Sequence, residues 1–343
     1  MSNMVELSLF NREGIHIGVT VAAIDSVSWQ LNRTGEARLF LPYSDPFCTP
    51  SRLALGNRVL LQFGNGLPAF GGVIDVPRNR TDAGVTFAVY TGDRILSWRV
   101  SNKIESFTAV APGTIVRMLV DQANATKDTS IRIQNVYTGG AVRTEEYNYA
   151  NLLDALMRLQ RQSGEDFAVI PLVEGKRLVF ELVWSEALGV DKSDRVAFVE
   201  GTNVETPLEL SEQGPIASQV YQPGGGAGGT TWADRLVGEA YSAEAALNYG
   251  YREVAQVQTG IFDQATLDAI AAAALDEMDS PRAHMRLVAQ DKAPARFYQY
   301  QVGDRCQVEA YLAHSDWRYS ARIRVLGRLW TPANTCQLEV VEW

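Results

Sequence analysis

Over the first hundred positions the apolar residues fall into short alternating runs, each closed by glycine, proline or asparagine, and none is long enough for a helix. The stretch 5–10 alternates and ends in Asn11-Arg12-Glu13-Gly14. A second run begins at 27–30, and a third, 36–41, stops at Pro42. The run 59–63 is followed by Gly64-Asn65-Gly66, whose residues tolerate positive φ and so predict a hairpin. The run 71–76 stops at Pro77, and 85–90 follows. Six short strands with turns between them predict a barrel or a sandwich.

The pattern then changes. Pro112 opens a helical stretch with Ile115, Val116, Leu119 and Val120 on one stripe. A second helix is expected over 151–162, with Leu152, Leu153, Leu156 and Leu159 facing one way and Gly164 as its C-cap. Two runs, 167–173 and 177–183, flank Glu174-Gly175-Lys176 and predict a β-hairpin. This helix-helix-hairpin block reads as an inserted α/β unit. After Pro207, Gln222-Pro223 leads into a glycine-rich segment, 224–231. A helix over 264–278 with Asp263 as N-cap follows, then strands at 284–289, 305–311, 321–326 and 337–341.

One stretch is echoed. Gly56-Asn57-Arg58-Val59-Leu60-Leu61 matches Gly303-Asp304-Arg305-Cys306-Gln307-Val308, and each precedes an apolar strand beside glycine, at 72–74 and 324–327. Such a match arises either from a common turn-into-strand pattern or from two β-barrels of one architecture flanking the insert.

Composition narrows the function. The 343 residues carry 31 Lys and Arg against 40 Asp and Glu, a net charge of −9, which argues against a dedicated nucleic-acid binder. Cys48, Cys306 and Cys336 form no close-spaced pair, so a reducing compartment is expected, and the N-terminus lacks the order of a signal peptide. The most apolar helical stretch, 269–275, is fenced by Asp268 and Asp276 and too short to cross a bilayer, so the chain is expected to be soluble and cytosolic when made.

Reactive motifs are missing where chemistry would need them. No Lys-Ser or Lys-Thr follows the glycine-rich loop, so it lacks the charge of a phosphate cradle and reads as a surface loop. His16, His284 and His314 stand apart, with no zinc spacing, and Cys306 and Cys336 read as small buried hydrophobes. His314-Ser315-Asp316 are consecutive and cannot take triad geometry. Glu145-Glu146 and Asp276-Glu277 are expected on solvated faces. No catalytic, cofactor-binding or metal-binding residue is assigned, and no cofactor is expected.

The order of the pieces carries a resemblance. Val5-x-Leu7-x-Leu9-Phe10-Asn11-Arg12-x-Gly14 leads to Ser28-Trp29, Gly35-Glu36-Ala37-x-Leu39-x-Leu41-Pro42, Leu55-Gly56-x-x-Val59 and Phe70-Gly71-Gly72-Val73-Ile74. Tyr90-Thr91-Gly92-Asp93 and Leu96-x-Trp98-Arg99 follow. Asn148-Tyr149-Ala150-Asn151-Leu152-Leu153-Asp154-Ala155-Leu156, Gly189-x-Asp191-x-Ser193 and the region from Gly303-Asp304 to Trp330-x-Pro332 continue it. This succession resembles the tail hub (baseplate hub) proteins of long-tailed bacteriophages and related phage-like particles.

The resemblance implies a mainly β chain in which two tail-tube-like β-barrel domains flank an α+β block: residues 1–105, an inserted α/β domain over 106–205, and 206–343 with the glycine-rich loop and one helix. It implies a homotrimer at the virion's tail tip, assembled in the host cytoplasm, joining a hexameric tube to a threefold tip. Its partners would be tail-tube and distal tail proteins and a central spike or fibre, with DNA passing through the lumen unbound and no membrane insertion. The acidic charge then suits an acidic lumen. No lytic domain is expected after Trp343. Two rivals stand beside this: a receptor- or carbohydrate-binding module using Trp232, Tyr241, Tyr249 and Tyr251, and a cell-wall hydrolase.

Overall fold

The computed structural model describes residues 4–64, 66–101, 104–205, 209–213, 215–225, 234–258, 261–311 and 318–343. Alternation builds the first barrel. Along β1 (Met4–Phe10), Val5, Leu7 and Leu9 are buried while Met4 and Glu6 face solvent. With β2 (His16–Gln30), β3 (Glu36–Pro42), β4 (Arg58–Gln62), β5 (Phe70–Arg80) and β6 (Gly84–Thr91) it runs in the order β1-β4-β5-β6-β3-β2, and β2 pairs back to β1. The sheet is therefore closed, every pair is antiparallel, and no edge is left along the closed part.

Three local features depart from the sequence-based reading. β2 begins at His16 rather than at Val27, because its first half pairs with β1 and its second half with β3. β5 continues through Pro77, where a bulge between Asp75 and Arg78 leaves the proline outside the ladder, so its missing N–H costs no sheet bond. The β4–β5 ladder ends at the pair Leu61 and Phe70, so no two-residue hairpin turn joins them; Asn65 lies outside the described residues.

The inserted block comprises β7 (Glu105–Val110), α1 (Pro112–Thr126), β8 (Ile131–Val136), β9 (Arg143–Tyr147), α2 (Leu152–Ser163), β10 (Asp166–Glu174) and β11 (Arg177–Ser185). Pro112 occupies the first turn of α1, whose buried stripe is Ile115, Val116, Leu119, Val120 and Ala123. Asn151 caps α2, its side chain accepting from the N–H groups of Leu153 and Asp154, and Gly164 closes it in the left-handed region at φ 71°. The predicted hairpin β10–β11 gains β8 as a parallel third strand, and β7 pairs with β9.

This block rests on the outside of the barrel wall. In β4, Val59 and Leu61 point into the barrel, whereas Leu60 points outward into the insert's core together with Phe10 and Val73. That is why β4 reads as a continuous apolar run rather than an alternating one. At Gly71 an added Cβ would overlap Pro171 of β10, so only glycine lets the insert's hairpin approach this closely.

The last third contains β12 (Ala197–Val199), β13 (Glu209–Gln213), β14 (Gln219–Pro223), β15 (Val237–Tyr241), α3 (Ala243–Tyr249), β16 (Glu253–Ala255), α4 (Gln264–Met278), β17 (Arg282–Gln290), β18 (Arg305–Tyr311), β19 (Arg318–Thr331) and β20 (Thr335–Glu342). Six of these form a sheet in the order β12-β18-β19-β20-β17-β13. After β12 the chain turns and Val204 bridges to Ala289 of β17, so this one segment links the β12 end of the sheet to the strand next to β13 at its other end. The expected helix over 264–278 is α4, with Asp263 Oδ1 accepting from Thr266 N at 2.8 Å. The short helix α3 and a small three-stranded sheet, β15-β14-β16, were not foreseen; α4 covers that sheet with Leu275 and Met278 against Val220. Gly224 and Gly225 donate to Leu236 O and Ile261 O, and the rest of the glycine-rich segment and Pro207 lie outside the described residues.

A candidate assembly interface built on a duplicated sheet

The short echo between residues 56 and 303 marks a repeat of geometry. Gly56 and Gly303 both sit at left-handed φ, +86° and +92°, immediately before β4 and β18. Gly56 N donates to Ile74 O and Ile74 N to Asn57 O, both at 2.8 Å; Gly303 N donates to Val325 O at 2.7 Å and Val325 N to Asp304 O at 3.0 Å. In β5 and β19 a bulge follows within one residue of the equivalent place, between Asp75 and Arg78 and between Val325 and Gly327. Beyond it Arg78 Nη1 donates to Leu53 O at 2.5 Å and Arg328 Nη1 to Tyr300 O at 2.9 Å, with Leu53 and Tyr300 each three residues before its glycine.

The strand permutations agree as well. In chain order β1 to β6 correspond to β12, β13, β17, β18, β19 and β20, and the spatial orders β1-β4-β5-β6-β3-β2 and β12-β18-β19-β20-β17-β13 coincide under that mapping. One pair differs in sense: β1 runs antiparallel to β4, while β12 runs parallel to β18. Of the two readings of the echo, a shared turn alone does not produce six strands in one order; an architecture used twice does.

The two sheets are also joined. The outer half of β2 pairs antiparallel with β19, Val27 with Trp330 and Trp29 with Arg328, so both sheets are one hydrogen-bonded surface of twelve strands. Their interiors merge into one apolar cluster. At the seam Trp29 and Trp330 flank Phe63, with ring centroids 5.7 and 5.8 Å away, and Arg328 lies 4.7 to 5.6 Å from the rings of Tyr300, Phe297 and Trp29. Arg328 is 1% exposed, and its Nε and Nη2 have no hydrogen-bond partner among the described residues, so aromatic faces carry much of what holds its charge.

Charged groups pin the insert to both sheets. Arg58 reaches out of β4 to Leu178 O at 2.7 Å and Ser130 Oγ at 3.1 Å; burial, and then Arg177, push its pKa down to about 10, which leaves it cationic at neutral pH. Arg324 of β19 pairs with the buried Asp166 of β10. Asp304, fully buried, accepts from Val190 N at 2.9 Å, Gln301 N at 2.9 Å and Lys192 Nζ at 2.7 Å, whereas its counterpart Asn57 donates to Ser51 O and Arg52 O. A cleft of about 230 Å³ opens where the three parts meet, lined by Trp29, Phe70, Asp93, Phe167, Pro171 and Arg328. Burial raises the Asp93 carboxyl, partly offset by the Thr34 and Thr91 hydroxyls.

Residues with reactive side chains are scattered. Among the described residues no three His, Cys, Asp or Glu gather as a metal-holding group. His16 lies edge-on to Phe10, His284 is in β17, and His314, Ser315 and Asp316 fall outside the described residues. Cys306 and Cys336 are buried free thiols, and burial pushes Cys306 up to about 12. Glu145 departs from the solvated face expected for it: alternation along β9 turns Arg143, Glu145 and Tyr147 inward, Arg158 bonds Glu145 at 2.7 Å, and burial raises its pKa. Glu146, Asp276 and Glu277 are exposed. Of the aromatics singled out in the sequence, Tyr241 and Tyr251 are exposed with rings 6.4 Å apart, Tyr249 is half-buried, and Trp232 lies outside the described residues. Tyr251 and Tyr221 both donate to Glu253 at 3.2 Å.

No protein-family model matches the chain, and no curated protein is similar to it in sequence. Solved structures are. A 43 kDa tail protein of prophage MuSo2 from Shewanella oneidensis superposes with a TM-score of 0.62 at 13% identity, over 98% of both chains. Prophage tail protein gp18 of Listeria monocytogenes gives 0.59 at 9% identity, covering 98% of this chain and 94% of the other. A tail protein of Neisseria meningitidis gives 0.59 at 12%, covering 98% and 96%. The resemblance carried by the order of short motifs is thus met in the fold: from one end to the other, this chain has the fold of prophage tail proteins.

Proposed function

We propose that the protein is a structural component of a phage or phage-like tail, the trimeric hub at the tail tip that joins the hexameric tail tube to a threefold tip. The observation that carries this reading is the duplicated sheet, six strands in one spatial order used twice within a chain that has the fold of prophage tail proteins. Two such units on three chains make six, the number a sixfold tube requires. Residues 1–105 and 206–343 are the two tube-like domains, and 106–205 is the inserted domain that faces neighbouring tail-tip proteins. The partners are other copies of the chain, tail-tube and distal tail proteins, and a central spike or fibre. The work is mechanical rather than enzymatic, needs no cofactor, and takes place in the virion after assembly in the host cytoplasm, without membrane insertion by this chain. DNA passes through the lumen without specific binding, and the net charge of −9 keeps its phosphates from adhering.

Native mass spectrometry with electron microscopy of the purified protein tests the reading. A trimeric ring with a central hole is expected; a monomer at every concentration would overturn it. A lumen in which Lys and Arg outnumber Asp and Glu would remove the role given to charge. Peptidoglycan clearing in a zymogram would overturn the non-enzymatic assignment. One observation favours a second activity, glycan binding: Tyr241 and Tyr251 stand exposed beside Glu253, apolar faces next to a hydrogen-bond acceptor. A glycan array that stays blank removes it.

A further inference from the structure

The seam inside the chain specifies a second seam. β2 docks on β19, and under the duplication β2 corresponds to β13 and β19 to β5. Register carries the mapping to single residues. Ile74 and Val325 hold the same bonds to their glycine turns, and they face Val89 and Val340, which in turn face Ala37 and Met285. Ala37 faces Val27, and Met285 faces Leu210, so Leu210 stands where Val27 does. Beyond the bulges Arg78, Asn79 and Arg80 stand where Arg328, Leu329 and Trp330 do.

The edge of β5 at these residues carries no strand among the described residues: β4 pairs with β5 only from Phe70 to Val73, and the strand beyond Asp75 pairs with β6 alone. Thr81 N bonds to Gly84 O on the β6 side, so alternation turns the main-chain groups of Arg80 and Arg78 to the other side. Val76 is 56% exposed, and Asn79 and Arg80 are exposed. Carried over to β13, this register sets Glu212 opposite Arg78, one acidic residue against one basic residue of the edge.

We infer that the outer half of β5 is the edge on which β13 of a second copy of this chain docks, antiparallel, with Arg80 opposite Leu210, Asn79 opposite Ser211 and Arg78 opposite Glu212. The inference rests on the ring-forming reading above and adds the strands and the register. Each copy then offers β5 to one neighbour and β13 to the other, so the seam within a chain and the seam between chains alternate around the ring, a head-to-tail arrangement that closes.

Cysteine cross-linking of the full chain tests the register. In an antiparallel pair without mutual hydrogen bonds the Cα atoms lie about 4.5 Å apart, within disulfide range. With Cys48→Ser as background, Asn79→Cys together with Ser211→Cys yields disulfide-linked species up to trimers under mild oxidation, whereas Asn79→Cys with Glu209→Cys yields at least about tenfold less, its spacing being two residues off. Separately, Arg80→Pro removes an N–H from the docking side without touching the β6 ladder, and weakens self-association at least about tenfold while thermal melting of the isolated chain is unchanged. If native mass spectrometry shows trimers but neither pair cross-links preferentially and Arg80→Pro associates normally, the docking edge is wrong and the hub reading stands. A chain that stays monomeric and uncross-linked overturns both. Dimers that never extend to trimers overturn the closed head-to-tail arrangement.

Discussion

The two glycines that open β4 and β18 provide a comparison in which backbone conformation is held constant and packing varies. Replacing either by alanine imposes left-handed strain of about 1–2 kcal/mol, partly offset by about 0.4–1 kcal/mol from a less flexible unfolded chain. At Gly56 the nearest atoms to a new Cβ belong to the flexible Arg12 side chain, 3.4 Å or more away, so Gly56→Ala costs about 1 kcal/mol. At Gly303 the Cβ would meet main chain, Leu188 O at 2.8 Å and Leu188 C at 3.0 Å. That segment has no freedom to retreat, because Val190 N and Lys192 Nζ are both bonded to Asp304. Overpacking adds about 1–3 kcal/mol, so Gly303→Ala loses about 2–4 kcal/mol in all. Differential scanning calorimetry reads the difference: a fall in Tm of roughly 2–4 °C per kcal/mol places the two variants several degrees apart. Equal losses at the two sites would refute the reasoning, since they would mean that φ alone demands glycine and that the contact with residues 188–189 carries no cost.

Three further outcomes are expected. Asn151→Ala removes the cap of α2 and the Nδ2 bond to Ser97 O, lowering stability by about 1–2 kcal/mol in urea unfolding, while Asn151→Asp keeps the cap, loses the Ser97 bond and restores only part of it. Burial raises the Asp93 carboxyl, so the folded chain holds that proton more tightly than the unfolded one; stability falls as pH climbs from the ordinary carboxyl value through the raised one, and Asp93→Asn flattens that slope in melts between pH 4 and 8. Alkylation at pH 8 labels half-buried Cys48 first, whereas Cys306, protonated and buried, reacts only after denaturation, as mass spectrometry of labelled peptides will read.

What could be read in advance was what neighbouring residues decide among themselves. Alternation in β1, β3 and β6, the proline and stripe of α1, Asn151 and Gly164 around α2 and Asp263 at α4 are local, and each was legible. What escaped depends on distant partners. The first half of β2 does alternate, Ile17, Val19 and Val21 against Gly18, Thr20 and Ala22, but Val19 and Val21 are exposed, and it joins the barrel through its pairing with β1. Pro77 looks like an ending until the bulge opposite β6 removes the need for its N–H. Glu145 looks solvated until Arg158, from the next helix, covers it. The candidate interface was half visible: Gly56 and Gly303 exposed the repeat, but nothing near Trp29 or Arg328 announces that their strands are joined.

That join has a consequence for the order in which the molecule can be made. All strands of the first barrel exist once residue 91 has left the ribosome, and their contacts are local enough to close early. The partner for Val27 to Gln30 is Gly327 to Trp330, on the order of 300 residues later. Throughout synthesis, the nascent chain therefore carries a finished barrel whose outer β2 edge is still raw, the kind of surface that recruits other chains. Synthesis of the last two strands is the event that covers it, so a ribosome stalled short of them would release a sticky fragment rather than a smaller working one.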